Sequence, residues 1–544
     1  MTRYKIITYF FLSFFIMIAG CTKLDENLES TLTSSQASSS LGASGTALLL
    51  KAAYVDLANP LSAQDKLFCL QENTSDEALT VTRGGDWDDN GVWRVLHNHT
   101  WDANHQYVLD VFNSLNKLNF DATNVLAFNP TKPQAAEAKF LRALSLYYLL
   151  DLYGQYPFRN PGDNLLNAPQ VKSGADAINF IISELTAALT DISATNNNTV
   201  ANADAIRTLL MKCYIQKGAF INRLTPTFDP ADMQQVVTIG TAIINSAKYS
   251  YTPNYFDNFS VDNGTKSKEG IFVYPNQSGV SINHAGIEAR WNMTLHYNSY
   301  TLYNPNAGWN GFATVSDFYN SFSSTGVTTF SPADTLLDQR IGGRPFAGVT
   351  NLSGIKPGLL VGQQFNENGV AEKDRKGAAL SFTPQIAADM KETGSNLEVT
   401  GIRIVKYPPD LTDNGKNYQS NSGNWLMIFR YPDVVLMVAE AKMRTGDAAG
   451  ALTLVNGLRI ARGAAPMPSM TLVNTSNVSD PNTLLAERGR ELYWENVRRT
   501  DLIRFGVFTK PWSLKPTDDV KNLVFPIPNQ ALAANPNLKQ NKGF

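Results

Sequence analysis

Residues 131–154 read TKPQAAEAKFLRALSLYYLLDLYG. Leu141, Leu144, Tyr148 and Leu152 recur at three- and four-residue spacing, the period of an amphipathic helix. Thr131 and Gln134 stand at capping-box separation, Pro133 suits a first helical turn, and Gly154 with Pro157 supplies the stop. Comparable patterns follow. Ser173 and Asp176 precede Ile178, Ile181, Ile182, Leu185 and Leu189. Asn202 opens a helix carrying Ile206, Leu209, Leu210, Cys213 and Tyr214, and Asp229-Pro230 opens one carrying Val236, Ile239, Ile243 and Ile244. Short connections between helices of this length favour antiparallel neighbours, each covering the stripe of the one before. The same texture returns at residues 430–463, where Thr445-Gly446-Asp447 separates two helices in a joint resembling tetratricopeptide hairpins. A further helix is expected over about Thr483 to Arg499. Between them, residues 251–425 lose helical periodicity, and stretches such as EGIFVYPNQSG and GIRIVKYPP read as short strands in long loops. The expected fold is mainly α: a tetratricopeptide-like helical-hairpin scaffold with a loop-rich insert containing short strands and packing as its own subdomain.

The 544 residues, 43% hydrophobic and 17% charged, suffice for a large core. At the N-terminus, Arg3 and Lys5 precede an apolar run from Ile6 to Ile18 that is too short for a typical membrane-spanning helix. The run ends in Ile18-Ala19-Gly20-Cys21, which resembles a bacterial lipoprotein cleavage box. Residues 1–20 read as a lipoprotein signal peptide and Cys21 as the lipidation site, where acyl chains would hold the protein at a membrane. Ser- and Thr-rich residues 21–42 read as a flexible tether, followed by an N-terminal scaffold over 43–250, the insert over 251–425 and a helical return over 426–544. Removing residues 1–20 takes away two cations and no acid, moving the formal charge from −2 to about −4, so no nucleic acid partner is indicated. Cys69 and Cys213 do not make a disulfide framework, and two free buried thiols are favoured over a bridge.

Several motifs invite catalytic or metal readings. Glu491 and Glu495 lie four apart, as paired glycosidase carboxylates would on a helix, but Arg488, Arg490, Arg498 and Arg499 surround them. Ion pairing of Arg488 with Glu491, and of Glu495 with Arg498 or Arg499, would lower the carboxyl pKa values, the wrong direction for a general acid. His97, His99 and His105 lack a placed further ligand for a metal, and polar pinning of the neighbouring loop is favoured. Asp410, Asp413 and Asn414 read as a polar turn rather than a calcium loop. No nucleophile elbow, P-loop or dinucleotide fingerprint is found. The expectation is no catalytic residue, no metal and no cofactor.

ERGRELYWENVRRTDLIRFG (487–506), NLVFPIPNQALAANPNLKQNKGF (522–544) and AEAKFLRALSLYYLLDLYG together resemble the SusD/RagB family of Bacteroidetes outer-membrane lipoproteins. The resemblance implies a non-catalytic, surface-exposed protein that captures oligosaccharides and passes them to a SusC-like TonB-dependent transporter. Peptide capture within the same family, or a cell-surface glycosidase, are the alternatives. TRGGDWDDNGVWRVLHNHTWD (82–102) supplies flat indoles among turn-forming polar residues, as stacking on a sugar ring requires. Trp87 and Trp93 are candidate platforms, with Arg83 and Asp86 beside them; the alternative for each ring is packing beneath the loop. By resemblance to the family's glycan-contacting loops, GWNG and HYN suggest Trp309, Asn310 and Tyr297, with Trp291 a weaker candidate.

Overall fold

The computed structural model describes residues 34–278, 286–299, 308–322, 338–342, 357–365, 370–410 and 422–544. The signal segment, Cys21, tether residues 22–33, Asp413 and Asn414 lie outside them. Helix α1 (Ser34–Asp56) begins inside the expected tether and bends at Gly42 (φ 54°). The tether is therefore shorter than expected, because its last residues prolong a helix whose body packs on α2 (Gln106–Ala127) and α3 (Lys132–Tyr153).

The helical array follows as α4 (Gly174–Asp191), α5 (Ala203–Ile221), α6 (Pro230–Asn245), α7 (Tyr431–Arg444) and α8 (Ala448–Ala461). Each packs on the next, and α6 meets α7 directly across the whole intervening insert. At Gly240 an added Cβ would lie 2.3 Å from Val438 Cγ2 and 2.6 Å from Met211 Cε, so a missing side chain permits that approach. The local start signals operate as expected at three helices, and Asp447 adds a fourth cap. Thr131 and Gln134 form the capping box, and Asn202, Asp229 and Asp447 accept from Ala205, Ala231 and Gly450 N–H. Ser173 does not cap α4 with its side chain; it ends a strand, 170–173, paired with 155–158.

From Phe140 onward α3 is buried on every side rather than along one stripe. The C-terminal chain covers its end: Leu152 O accepts from Phe525 N–H at 2.8 Å and Tyr153 O from Asn541 Nδ2 at 2.9 Å. Those carbonyls belong to the last turn of a helix, where no intrahelical donor remains.

The insert does not pack as a separate unit. Leu79–Thr80 pairs antiparallel with Phe312–Ala313, and Thr82–Arg83 pairs parallel with Lys391–Glu392, so N-terminal backbone is built into it. Gly270–Tyr274 pairs with Leu426–Arg430 at its base, and Arg403–Val405 with Gly358–Leu360 within it.

The expected single helix over 483–499 is two, α9 (Leu484–Leu492) and α10 (Arg498–Arg504), separated by Trp494 (φ 59°) and Asn496 (φ 63°). The expected pairings do not form, neither Arg488 with Glu491 inside α9 nor Glu495 with Arg498 or Arg499 across the break, because each group meets a partner distant in sequence. Glu491 instead binds Arg462 (2.8 Å) and Arg430 (3.0 Å). Glu487 binds Arg340, Arg459 and Arg490, each at 2.7 Å, and Glu495 binds Lys406 and Arg430 at 2.6 Å. Glu269 adds contacts to Arg430 and Arg462. Arg488 pairs with Asp433 and Asp501, Arg498 with Asp76, while Arg499 donates to Leu523 O, holding the chain that follows. Burial alone would raise the Glu487 and Glu491 carboxyls, but the surrounding guanidiniums outweigh it and hold both low.

Removing one carboxylate strands buried cations, so Glu491→Ala is expected to cost about 3–5 kcal/mol in denaturant unfolding. Because the folded carboxyl is held below its unfolded value, its stabilisation is complete above pH of about 4.3 and lost as pH falls through the folded value. The gap between wild type and Glu491→Ala should accordingly narrow on acidification below about pH 4.

Candidate functional site

Two loops distant in sequence meet at Gly311. Trp87 (φ 60°) follows a tight turn in which Arg83 and Asp86 exchange backbone hydrogen bonds. The other loop, Gly308 to Gly311, lies across residues 292–296: Asn292, Leu295 and Met293 carbonyls accept from Trp309, Asn310 and Gly311 N–H at 2.6, 2.8 and 2.9 Å. A Cβ on Gly308 would fall 1.9 Å from His296 O, and one on Gly311 2.2 Å from Trp87 Cε2. Glycine at both positions thus lets backbone lie on backbone and an indole lie on backbone.

Trp87 Nε1–H donates to Trp309 O at 2.6 Å, and the two ring centroids are 6.4 Å apart at 46°. Both rings are half-buried. Among the described residues nothing accepts from the Trp309 indole N–H. Beside them Asp86 is exposed, and its carboxylate accepts from the Tyr297 hydroxyl at 2.6 Å. Arg375 lies 4.0 Å above the Tyr297 ring and binds Glu398 at 2.6 Å. Burial, with Asp86 beside it, raises the Tyr297 phenol, which remains a hydrogen-bond donor at neutral pH. Burial lowers His296 to about 4. Its Nδ1 accepts from Asn298 N–H, leaving Nε2–H to face Glu398 at 2.8 Å.

Four expected contacts are instead supports. Trp93 is buried against Trp87, Tyr107 and Phe312, with its Nε1–H satisfied by Asp89 at 2.8 Å, because the short helix Val92–His97 turns it inward. Trp291 is buried in the short helix Ala289–Asn292. Asn310 is fully buried and accepts from Arg403 at 2.8 Å. Arg83 is buried too, donating to the carbonyls of Asn310, Leu397 and Thr400, and burial lowers it to about 10, still charged at neutral pH. Arg83 thereby bridges two segments of the insert, around Asn310 and over 397–400. The histidines pin this region: His105 contacts Val92 O, His97 contacts Ser513 O, and His99 contacts Thr74 O and Asp518. Arg375, absent from the expected set, sits in the run KDRKG, whose charges carry no local sign of a distant tyrosine. Asp410 accepts from Gly423 N–H at 2.9 Å, and Cys69 and Cys213 are buried and free.

The model of the SusD family matches residues 240–518, spanning the whole insert and most of the helical return. The chain belongs to the SusD family. It is 25% identical over 511 residues to the starch-binding protein SusD of Bacteroides thetaiotaomicron, covering 88% of this chain and 85% of that one. Among solved structures, a SusD superfamily protein from Parabacteroides distasonis superposes with a TM-score of 0.67 at 18% identity, covering 94% of this chain and all of that one. Surface glycan-binding protein A from B. thetaiotaomicron, solved with laminarihexaose, gives 0.64 at 17% identity, covering 92% and 99%. These likenesses agree with the mainly helical fold of this SusD-family chain.

In this SusD-family protein Gly311→Ala should push the Trp87 ring off its seat, changing the near-ultraviolet circular dichroism of the tryptophans and costing about 1–3 kcal/mol, as overpacking does.

Proposed function

We propose that this SusD-family protein captures oligosaccharides without catalysis and delivers them to a SusC-like TonB-dependent transporter at the outer membrane. The observation that carries the reading is the meeting of Trp87 and Trp309 beside the Asp86, Tyr297 and Arg375 side chains. A pyranose offers an apolar C–H face and a rim of hydroxyls. Half-exposed indoles suit the face, while the carboxylate, phenol and guanidinium suit the rim. The starch-binding relative and the laminarihexaose-bound structural neighbour point to the same ligand class.

Binding of this kind is noncovalent and requires no cofactor. Glu491 and Glu495, the acids most suggestive of hydrolysis, are held by cations, Glu491 by Arg430 and Arg462 and Glu495 by Lys406 and Arg430, which supports a role in the fold rather than in chemistry. Attachment through acylated Cys21, with the protein outside the cell, is supported by the Ile18-Ala19-Gly20-Cys21 box.

Titration calorimetry of residues 22–544 against starch and β-glucan oligosaccharides tests this reading. Trp87→Ala and Trp309→Ala should each weaken the glycan bound by wild type by about tenfold, the scale of one lost aromatic contact. Equal binding by both variants would refute the site, preferential binding of peptides would favour peptide import, and release of shortened sugars would refute the non-catalytic role.

A further inference from the structure

Helix α2 carries a second face whose composition the fold does not need. Asn113, Asn116, Phe120 and Asn124 recur at three- and four-residue intervals, on one side of the helix and outside its apolar stripe. They form one wall of a groove of about 780 Å³, closed by the 157–169 connection and by the C-terminal segment 530–538. That volume lies within the roughly 300–1,000 Å³ typical of small-molecule sites. None of its lining residues belongs to the Trp87–Trp309 cluster.

Two features mark the groove as more than a surface fold. Phe120, 40% exposed, leaves an aromatic ring open to solvent between the asparagines of the wall. Asn535, which lines the opposite side, is only 5% exposed, and its Nδ2 is buried without an acceptor, although its Oδ1 is satisfied by Asn537 N–H at 3.1 Å. A buried amide donor left unpaired is unfavourable, and an acceptor brought by a ligand would relieve it.

The charge pattern narrows the ligand. Arg159 spends its guanidinium on the carbonyls of Asn164 and Asn167, and Asp163 accepts from Asn160 N–H at 2.8 Å, so both charged lining groups are committed to their own loop. What remains is neutral: the carboxamides of Asn113 and Asn124, which have no partner among the described residues, the donor of Asn535 and the ring of Phe120. Each carboxamide offers a donor and an acceptor, the complement of a hydroxyl that does both, and the ring matches an apolar C–H face.

We propose that this groove is a second saccharide site, taking a neutral pyranose unit independently of the tryptophan cluster. The proposal rests on the glycan reading above only for its choice of probes. Two sites on one chain would raise the effective concentration of a long glycan at the first, so polymers would be held more strongly than short oligomers.

Hydrogen–deuterium exchange of residues 22–544 with saturating maltoheptaose, laminarihexaose, cellohexaose or xylohexaose tests it. At least one should slow exchange in both 113–124 and 530–538. That protection should persist in the double variant Trp87→Ala/Trp309→Ala and disappear in Phe120→Ala, whose exposed position leaves the fold intact by circular dichroism. Phe120→Ala in the double-variant background should weaken the remaining binding by about tenfold. Absence of protection with all four sugars would overturn the proposal, as would protection unchanged in Phe120→Ala or lost in the double variant. If the groove is protected while Trp87→Ala and Trp309→Ala bind like wild type, the tryptophan site fails and this one stands.

Discussion

The fold depends on keeping the carboxylates of Glu487 and Glu491 charged in a place that water does not reach. Isolated charges cannot be carried into such an interior, so each must meet cations with correct geometry. Those cations arrive from remote parts of the chain: Arg340 from the insert, Arg430 from the strand that closes it, and Arg459 and Arg462 from the end of α8. Glu269, at the insert's entrance, shares two of the same arginines. The cluster therefore fixes where the insert leaves and rejoins the helical array. With that position set, the 308–311 loop can rest on the turn containing Trp87.

Much of the helical array was legible because its determinants are local. A capping box, an Asn or Asp cap, a proline in the first turn and an apolar period all act within a few residues, and the helices from α3 to α8 follow them closely. The break between α9 and α10 was hidden, because Trp494 and Asn496 adopt positive φ in response to distant partners: Trp494 donates to Glu77 O, and Asn496 N–H to Glu72. The insert's short strands were hard to place for the same reason. Thr82 and Lys391 pair over some three hundred residues, and no periodicity records that choice.

The site was half legible. Indoles among glycines and aspartates identified the right loops, yet composition could not separate a ring that faces outward from one that turns in. Trp93 turns in because it lies on a helical turn aimed at Phe312, whereas Trp87 is held at the rim by left-handed backbone and the bare surface of Gly311. Arg83 and Asn310, polar and so plausible as ligand contacts, are consumed in joining the loops. Arg375 was invisible because its partners, Tyr297 and Glu398, come from elsewhere in the insert.

The central claim is that the principal recognition surface forms where these two loops meet. A crystal structure of the protein with the oligosaccharide it binds most tightly tests this directly. A sugar ring stacked on Trp87 or Trp309, with hydroxyls engaging Asp86, Tyr297 or Arg375, is the result expected. An oligosaccharide fully ordered elsewhere on the molecule, with those indoles bare, would contradict it.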